Sequence, residues 1–558
     1  MWPLFRQARY LGRYRQIAQV LGAHGFGFLI DQIGLGSFLS LPRRIIRRPA
    51  EDLSGPERLR RALVALGPTF VKLGQILSTR PDLLPPAFVV ELGKLQDTVP
   101  PFPAAVAIAT IEAELGRPID TIFREFSREP LAAASLGQVH AAVLHDGQQV
   151  AVKVQRPDIE QIVAVDLAIL TELAALAQER TVLGEQYDLV ELAWEFSTTL
   201  RAEIDYRREA RNAERFRRNF AGISSTHIPT IYWEYTSTRV LTSERIFGIK
   251  INDIAGLDAA GLDRKRLARH SVELILKEVF TDGFFHGDPH PGNFFALPGE
   301  VIAAVDFGQS VALDRQMTDN LLLFLVAISD NDADGALRSL QRLGMLEPRE
   351  ITSVLRRDML RFIDAFVDRP LDEMSARETA EELLALARRH RLRMPAPLAL
   401  LLKAVIMMEG TGVLIDPQLD VFAIARPYGA RALAELAAPA AVARRAQVQL
   451  RELGEVAGQI PRQLTETLRQ LNNGELSVQL HDREAHRIAA ALAVAGTRVA
   501  LGLVVLAAVI GLGLLGLVVA LGEWSTAQVV AVAVIGLVVL LSAGTALFFS
   551  IIRRGPRP

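Results

Sequence analysis

Two apolar spacings alternate along most of this chain. Val150-Ala151-Val152-Lys153-Val154 alternates with a period of two, directly after the turn signal His145-Asp146-Gly147, which predicts a strand entered from a hairpin. Val301 to Val305 reads as a second short apolar strand. Elsewhere the spacing is helical. Leu63, Leu66, Phe70, Leu73 and Leu77 form one stripe, with Lys72 and Gln75 on the far side, where such residues usually meet water. Leu189, Leu192, Phe196 and Leu200 form another, within a helix predicted over Asp188 to Arg218. On one continuous helix Asp205, Glu209 and Asn212 share a face, and Glu203 points nearly opposite Asp205. If both acids serve one site, that helix must bend.

Toward the C-terminal end the periodicity gives way to continuous apolar runs. Val499 to Leu521 and Ala527 to Ile552 carry no charge, and each is long enough to cross a hydrocarbon core of ~30 Å. The joint Gly522-Glu523-Trp524-Ser525-Thr526 is a tight turn, so the pair predicts a transmembrane hairpin. Arg498 precedes it and Arg553, Arg554 and Arg557 follow, which places both ends, and the body of the protein, on the cytoplasmic side. At the other end, Arg6, Arg9, Arg13 and Arg15 interrupt any signal-peptide-like run. Ile17 to Leu41, followed by Arg43-Arg44-Ile45-Ile46-Arg47-Arg48, has the makings of a membrane-interfacial segment or of a solvated basic face.

Composition narrows the choice of chemistry. The net charge is -1, so nothing points to a nucleic-acid partner. With no cysteine, disulfides, thiolate catalysis and Cys-ligated metals are excluded.

Four elements then occur in the order that a phosphoryl-transfer site needs. Leu131-Ala132-Ala133-Ala134-Ser135-Leu136-Gly137-Gln138-Val139-His140 is a run of small residues leading into a strand, able to bring backbone amides close to phosphates. Lys153, on the next strand, stands where a phosphate-pairing lysine belongs. The helix with Glu203, Asp205 and Glu209 offers that lysine an acidic partner. Finally, His286-Gly287-Asp288-Pro289-His290-Pro291-Gly292-Asn293 keeps the spacing of a catalytic Asp and a metal-binding Asn, and Asp306-Phe307-Gly308 follows an apolar strand. His286 and His290 do not form a helical metal pair, because prolines flank them. After Asp306-Phe307-Gly308 there is no A-P-E; the chain runs straight into helix-like Met317 to Ile328, leaving little platform for a peptide substrate.

With Lys72-Leu73-Gly74-Gln75 upstream, these motifs resemble the UbiB family of aarF-domain-containing atypical kinases, through K-x-G-Q, an alanine-rich loop, E-x-D, H-G-D-P-H-P-G-N and D-F-G. The likeness runs from about Leu53 to Phe422, through Glu409-Gly410 and Asp416-Pro417. It implies an α+β, atypical protein-kinase-like two-lobe fold with an N-terminal helical extension, in which the K-x-G-Q segment packs over the active site. It also implies magnesium-dependent ATP binding, ATPase activity and a supporting role in ubiquinone biosynthesis.

The expected organisation is a basic N-terminal segment over 1–50 and a helical extension over 51–125. A kinase-like N-lobe over 126–248 and a C-lobe over 249–435 follow, then a helical linker over 436–495 and the hairpin over 496–558. The expected ATP site comprises the backbone of Ala132, Ala133, Ala134, Ser135, Gly137 and Gln138, with Lys153 oriented by Glu209 or Glu203. Backbone groups near Glu244 and Ile246 would meet the adenine, Asn293 and Asp306 would carry Mg2+, and Asp288 would position water or an acceptor hydroxyl. Lys72, Gly74, Gln75, Glu203 and Asp205 are the expected regulatory residues, restraining turnover. Expected partners are membrane lipids, isoprenoid-quinone precursors and other quinone-biosynthesis enzymes, at a bacterial inner membrane. A lipid or small-molecule kinase and a nucleotide-gated scaffold are the alternative readings.

Overall fold

The computed structural model describes residues 10–34, 53–80, 83–95, 100–182, 187–367 and 375–438, with 184 and 534 besides. The chain divides into two units, 1–443 and 444–558, and all the kinase-like motifs lie in the first. The predicted transmembrane hairpin (Val534 apart), the linker beyond 438 and the basic stretch Arg43 to Arg48 lie outside the described residues. Among the described residues one helix, Ala396–Ile415, is long and apolar enough to cross a membrane, and half of it is buried inside the protein.

The first helices form an extension with its own core. They are α1 (Leu11–Ala23), α2 (Gly27–Gln32), α3 (Gly55–Leu66), α4 (Pro68–Ser78) and α5 (Pro86–Leu92). Tyr14, Ile17 and Ile30 pack there with Leu63, Phe70 and Leu92, so protein rather than lipid covers these apolar residues of the N-terminal segment. The stripe from Leu63 to Leu77 is not one helix. Gly67, at φ 100°, ends α3 and Pro68 opens α4; proline suits a first helical turn, whose amides have no intrahelical partner.

Next come α6 (Ala104–Leu115), the strands β1 (Glu125–Ala133), β2 (Gly137–Val143) and β3 (Gln149–Gln155), and the long helix α7 (Ile159–Arg180). Two helices follow, α8 (Leu189–Glu203) and α9 (Tyr206–Asn219), where the sequence pattern predicts one. Asp205 causes the break: its side chain accepts from the Arg207 amide at 3.1 Å and N-caps α9. The Tyr206 amide meanwhile donates to Thr238 O at 3.0 Å, which pins the junction to the sheet.

β4 (Thr226–His227), β5 (Val240–Glu244) and β6 (Ile249–Lys250) follow. One antiparallel sheet has the order β1-β2-β3-β5. Val150, Val152 and Val154 are fully buried on its α6 side, against Ala107 and Ile111. Strand alternation therefore sends Lys153 to the opposite face.

The second half holds α10 (Arg264–Phe280), β7 (Phe284–His286), β8 (Phe294–Leu297), β9 (Val301–Ala304) and β10 (Ser310–Ala312). Five helices complete it: α11 (Arg315–Ser329), α12 (Ala333–Arg342), α13 (Ser353–Val367), α14 (Ala376–Arg389) and α15 (Ala396–Ile415), before α16 (Val421–Ala437). β4-β9-β8-β6 form one sheet, and β7 pairs with β10. Val272 and Ile275 of α10 share a core with Phe216, Phe285, Ala404 and Met408, so α9 and α15 are both packed into the half that carries the H-G-D and D-F-G motifs.

Candidate functional site

Lys153, Glu209 and Asp306 converge from three separate elements. The Lys153 ammonium donates to both Glu209 carboxylate oxygens, at 2.9 and 2.8 Å, and lies 3.6 Å from Asp306 Oδ2. It also sits 5.2 Å from the Tyr206 ring centroid. Burial opposes a charge on Lys153, but Asp306 and Glu209 outweigh it and hold its pKa above the ordinary lysine range. Burial pushes Glu209 up to about 7 against the pull of Lys153. At Asp306 the surrounding protein favours the neutral acid, yet Lys153 and Lys72 overcome this and hold it at about 2. Asp306 adopts φ 62°, rare for a side chain that is not glycine, and its Oδ1 accepts from the Gly308 amide at 3.2 Å.

The helix break decides the acid partners. Glu209, on α9, takes Lys153; Glu203, at the end of α8, takes Lys72. Asp205 joins neither pair: it caps α9 and lies 3.5 Å from Arg211. Asn212, one turn beyond Glu209, donates to Phe307 O at 3.0 Å and ties α9 to the D-F-G backbone. The rings of Phe216, Phe307 and His286 reinforce the tie, with centroids 5.1 Å (Phe216–Phe307) and 5.8 Å (His286–Phe307) apart.

Around Asp288 the chain is held from several sides. Buried His286 accepts from the Asp288 amide through Nδ1 at 3.1 Å, and burial lowers its pKa, which keeps the ring neutral. The His286 amide donates to Glu278 at 3.0 Å; Glu278 is 2% exposed, and burial pushes it up to about 8. His290 Nδ1 accepts from the Gly292 amide at 3.1 Å. Asn293 Nδ2 donates to Asp288 O at 3.1 Å, which leaves its Oδ1 as an acceptor. Asp288 Oδ1 itself accepts from Lys403 Nζ at 2.7 Å, and this cation outweighs burial to lower the Asp288 pKa. Lys403 lies on α15, 115 residues away, and no sequence signal marks it.

The alanine-rich run forms the β1-β2 hairpin. Ala132 and Ala133 end β1, and Ala134 N donates to Gly137 O at 2.8 Å across the turn containing Ser135. A Cβ on Gly137 would meet Val154 O at 2.5 Å and collide with Tyr206, so only glycine fits. The Gln138 side chain turns inward to clamp Phe102, accepting from its amide at 2.9 Å and donating to its carbonyl at 3.1 Å. Glu244 ends β5 with its carboxylate on Thr230 N at 3.1 Å and His227 at 3.0 Å; the backbone runs on through Ile246.

In the K-x-G-Q segment the three polar and small positions separate in role. Lys72 is buried against Glu203 rather than facing water. Gly74 lets α4 pack closely: a Cβ there would collide with the Leu95 side chain and stand 2.7 Å from Leu63 Cδ1. Gln75 donates to Leu95 O at 2.5 Å.

These residues fit a magnesium-bound nucleotide better than a metal held by protein alone. Asp306 and Asn293 Oδ1 offer oxygen ligands, and among the described residues no three His, Asp or Glu side chains converge on one point. Magnesium in such sites takes few protein ligands and completes its shell with phosphate and water.

Comparison with known proteins agrees with this arrangement. The ABC1 atypical kinase-like domain matches residues 94–340, and the UbiB helical domain matches residues 359–420. An uncharacterized protein of Synechocystis is 38% identical over 435 residues, covering 77% of this chain and 74% of its own. The "Probable protein kinase UbiB" of Cellvibrio japonicus is 37% identical over 451 residues, covering 80% and 81%. "Activity of bc1 complex kinase 7, chloroplastic" of Arabidopsis thaliana is 40% identical over 371 residues, covering 66% of this chain and 53% of its own. With its kinase-like fold and these matches, the chain belongs to the UbiB/ABC1 family of atypical kinases.

Proposed function

We propose that this protein is a membrane-anchored, Mg-ATP-binding atypical kinase or ATPase that supports isoprenoid-quinone (ubiquinone) biosynthesis, hydrolysing ATP in step with the handling of lipid precursors. The observation that carries the reading is the convergence of Lys153, Glu209 and Asp306 in one charged cluster. When bound, Mg-ATP supplies the transferable phosphoryl group and a Lewis acid on its oxygens. Asn293 and Asp306 would hold the metal, and the Lys153 ammonium, fixed by two bonds to Glu209, would hold phosphate oxygens. The hairpin backbone from Ala132 to Gln138 would cradle the phosphates, and the backbone at Glu244 and Ile246 would meet the adenine. Ionised Asp288 orients water or an acceptor hydroxyl and takes its proton. Lys72, held by Glu203 and within electrostatic reach of Asp306, restrains turnover.

The anchor in this reading is the pair of charge-free runs 499–521 and 527–552, with the kinase-like domain on the cytoplasmic face of a bacterial inner membrane. The test is phosphate release by the full chain with Mg-ATP, with and without bilayers containing phenolic quinone precursors. Release that rises with precursor and vanishes in Asp288→Asn, with nucleotide binding kept, supports it. ATP binding without release under any condition overturns it. A second reading, phosphorylation of a lipid alcohol, draws on the apolar cavity that opens beside Gly308; phosphate appearing on an organic acceptor would select it.

A further inference from the structure

A cavity of about 680 Å³ lies among α4, α7, α8, β10 and the start of α15. Its walls are mostly hydrocarbon, including Leu73, Leu173, Ala193, Phe196, Val311 and Leu400. It is distinct from the charged cluster around Lys153 but touches it at two points. Gly308, two residues beyond Asp306, forms part of its wall, and so does Glu203, the partner of Lys72. One Glu203 oxygen, Oε2, is buried and accepts no hydrogen bond. Leaving such an acceptor unpaired is costly, a deficit that a ligand donor would remove.

We propose that this cavity binds the hydrocarbon chain of a single-chain lipid alcohol or phenol, with its hydroxyl donating to Glu203 Oε2. The volume lies within the range of about 300–1,000 Å³ usual for a single small-molecule ligand. A peptide is a poor occupant, because leucine, alanine and phenylalanine walls leave its amides unpaired. A carboxylate at the polar end selects a neutral donor head over an anionic one. Arg80 does not reverse this, since it lies 3.3 Å from Glu195 at the cavity wall; Arg208 also lines the cavity and is exposed. Bound there, the hydroxyl lies in the cavity whose wall includes Gly308 and shares Glu203 with Lys72, which holds Oε1. The link to turnover rests on the nucleotide-site reading above; the chain site does not.

The experiment uses the full chain in lipid nanodiscs and geranylgeraniol carrying a diazirine near its terminal isoprene unit, without nucleotide. Saturable photolabelling concentrated on peptides of α4, α7 and α8 is expected. Ala193→Phe, which fills the cavity, should lower it roughly tenfold or more, compared with wild type at matched nucleotide affinity. If that variant does not fold, Ala174→Leu serves the same purpose on α7. Unlabelled geranylgeraniol should compete and palmitate should not. Labelling spread along the chain, or undiminished in folded filled variants, overturns the site; equal competition by palmitate overturns the head-group assignment. Because no hydrolysis is read, site-specific labelling beside a silent phosphate-release assay would keep this site and remove the ATPase reading instead.

Discussion

Lys403 Nζ lies 2.7 Å from Asp288 Oδ1, joining helix α15 of the C-terminal half to the acid of the H-G-D motif. In the H-G-D-P-H segment, Gly287 and Pro289 flank Asp288 and offer no charge, so the nearby cation comes from a distant helix.

Replacing Lys403 with methionine should lower phosphate release roughly ten- to hundredfold, the range for losing a partner that orients and tunes a site residue. Without its cation, half-buried Asp288 titrates higher, so the acid limb of the rate profile should move to higher pH. Lys403→Arg should restore part of both effects. Native rates and an unmoved profile in Lys403→Met would show that the pair is structural only.

Glu209 sets a second pH dependence. With its pKa near 7, it loses its charge as the medium becomes mildly acidic, and its hold on Lys153 weakens. Nucleotide affinity should therefore rise between about pH 6 and pH 8. Glu209→Gln should bind more weakly and remove the slope. Titration of ATP binding by fluorescence polarisation tests this, and a flat wild-type curve would refute it.

Glu278 acts on stability in the opposite sense. Its folded pKa of about 8 exceeds the ordinary 4.5, so the folded state keeps a proton that the unfolded chain releases. The stabilisation is present in full below about pH 4.5 and is lost as pH rises through about 8, at up to about 1.4 kcal/mol per pH unit. Asp306, with its pKa lowered to about 2, contributes only below this window, where stability is lost as pH falls. Urea midpoints should fall from about pH 5.5 to about pH 7.5 in the wild type and less steeply in Glu278→Gln. Parallel slopes in the two proteins would discard the assignment.

Gly74 tests the packing of the K-x-G-Q segment. An alanine Cβ there would stand 2.7 Å from Leu63 Cδ1, so Gly74→Ala should destabilise by about 1–3 kcal/mol through overpacking. A melting temperature equal to wild type would show that α3 and α5 can give way.

The strands and the order of the chemistry are legible in the sequence alone. The Lys153 strand follows from alternation, and the D-F-G strand from an apolar run bounded by turns. The spacing from Asp288 to Asn293 is covalent and needs no fold to be read. Helix ends were harder. The breaks at Gly67 and Asp205 interrupt stripes that look continuous, because apolar spacing survives a cap whereas direction does not.

Tertiary structure decided the partners. Glu209 rather than Glu203 meets Lys153 only because Asp205 ends one helix and starts another, turning the two acids to different lysines. Lys72 is buried because α4 is pressed between α8 and its neighbours in the extension, a contact no periodicity encodes. Lys403 reaches Asp288 across 115 residues. A lone lysine in an apolar helix carries no mark of its partner, since that contact exists only after α15 packs against α10.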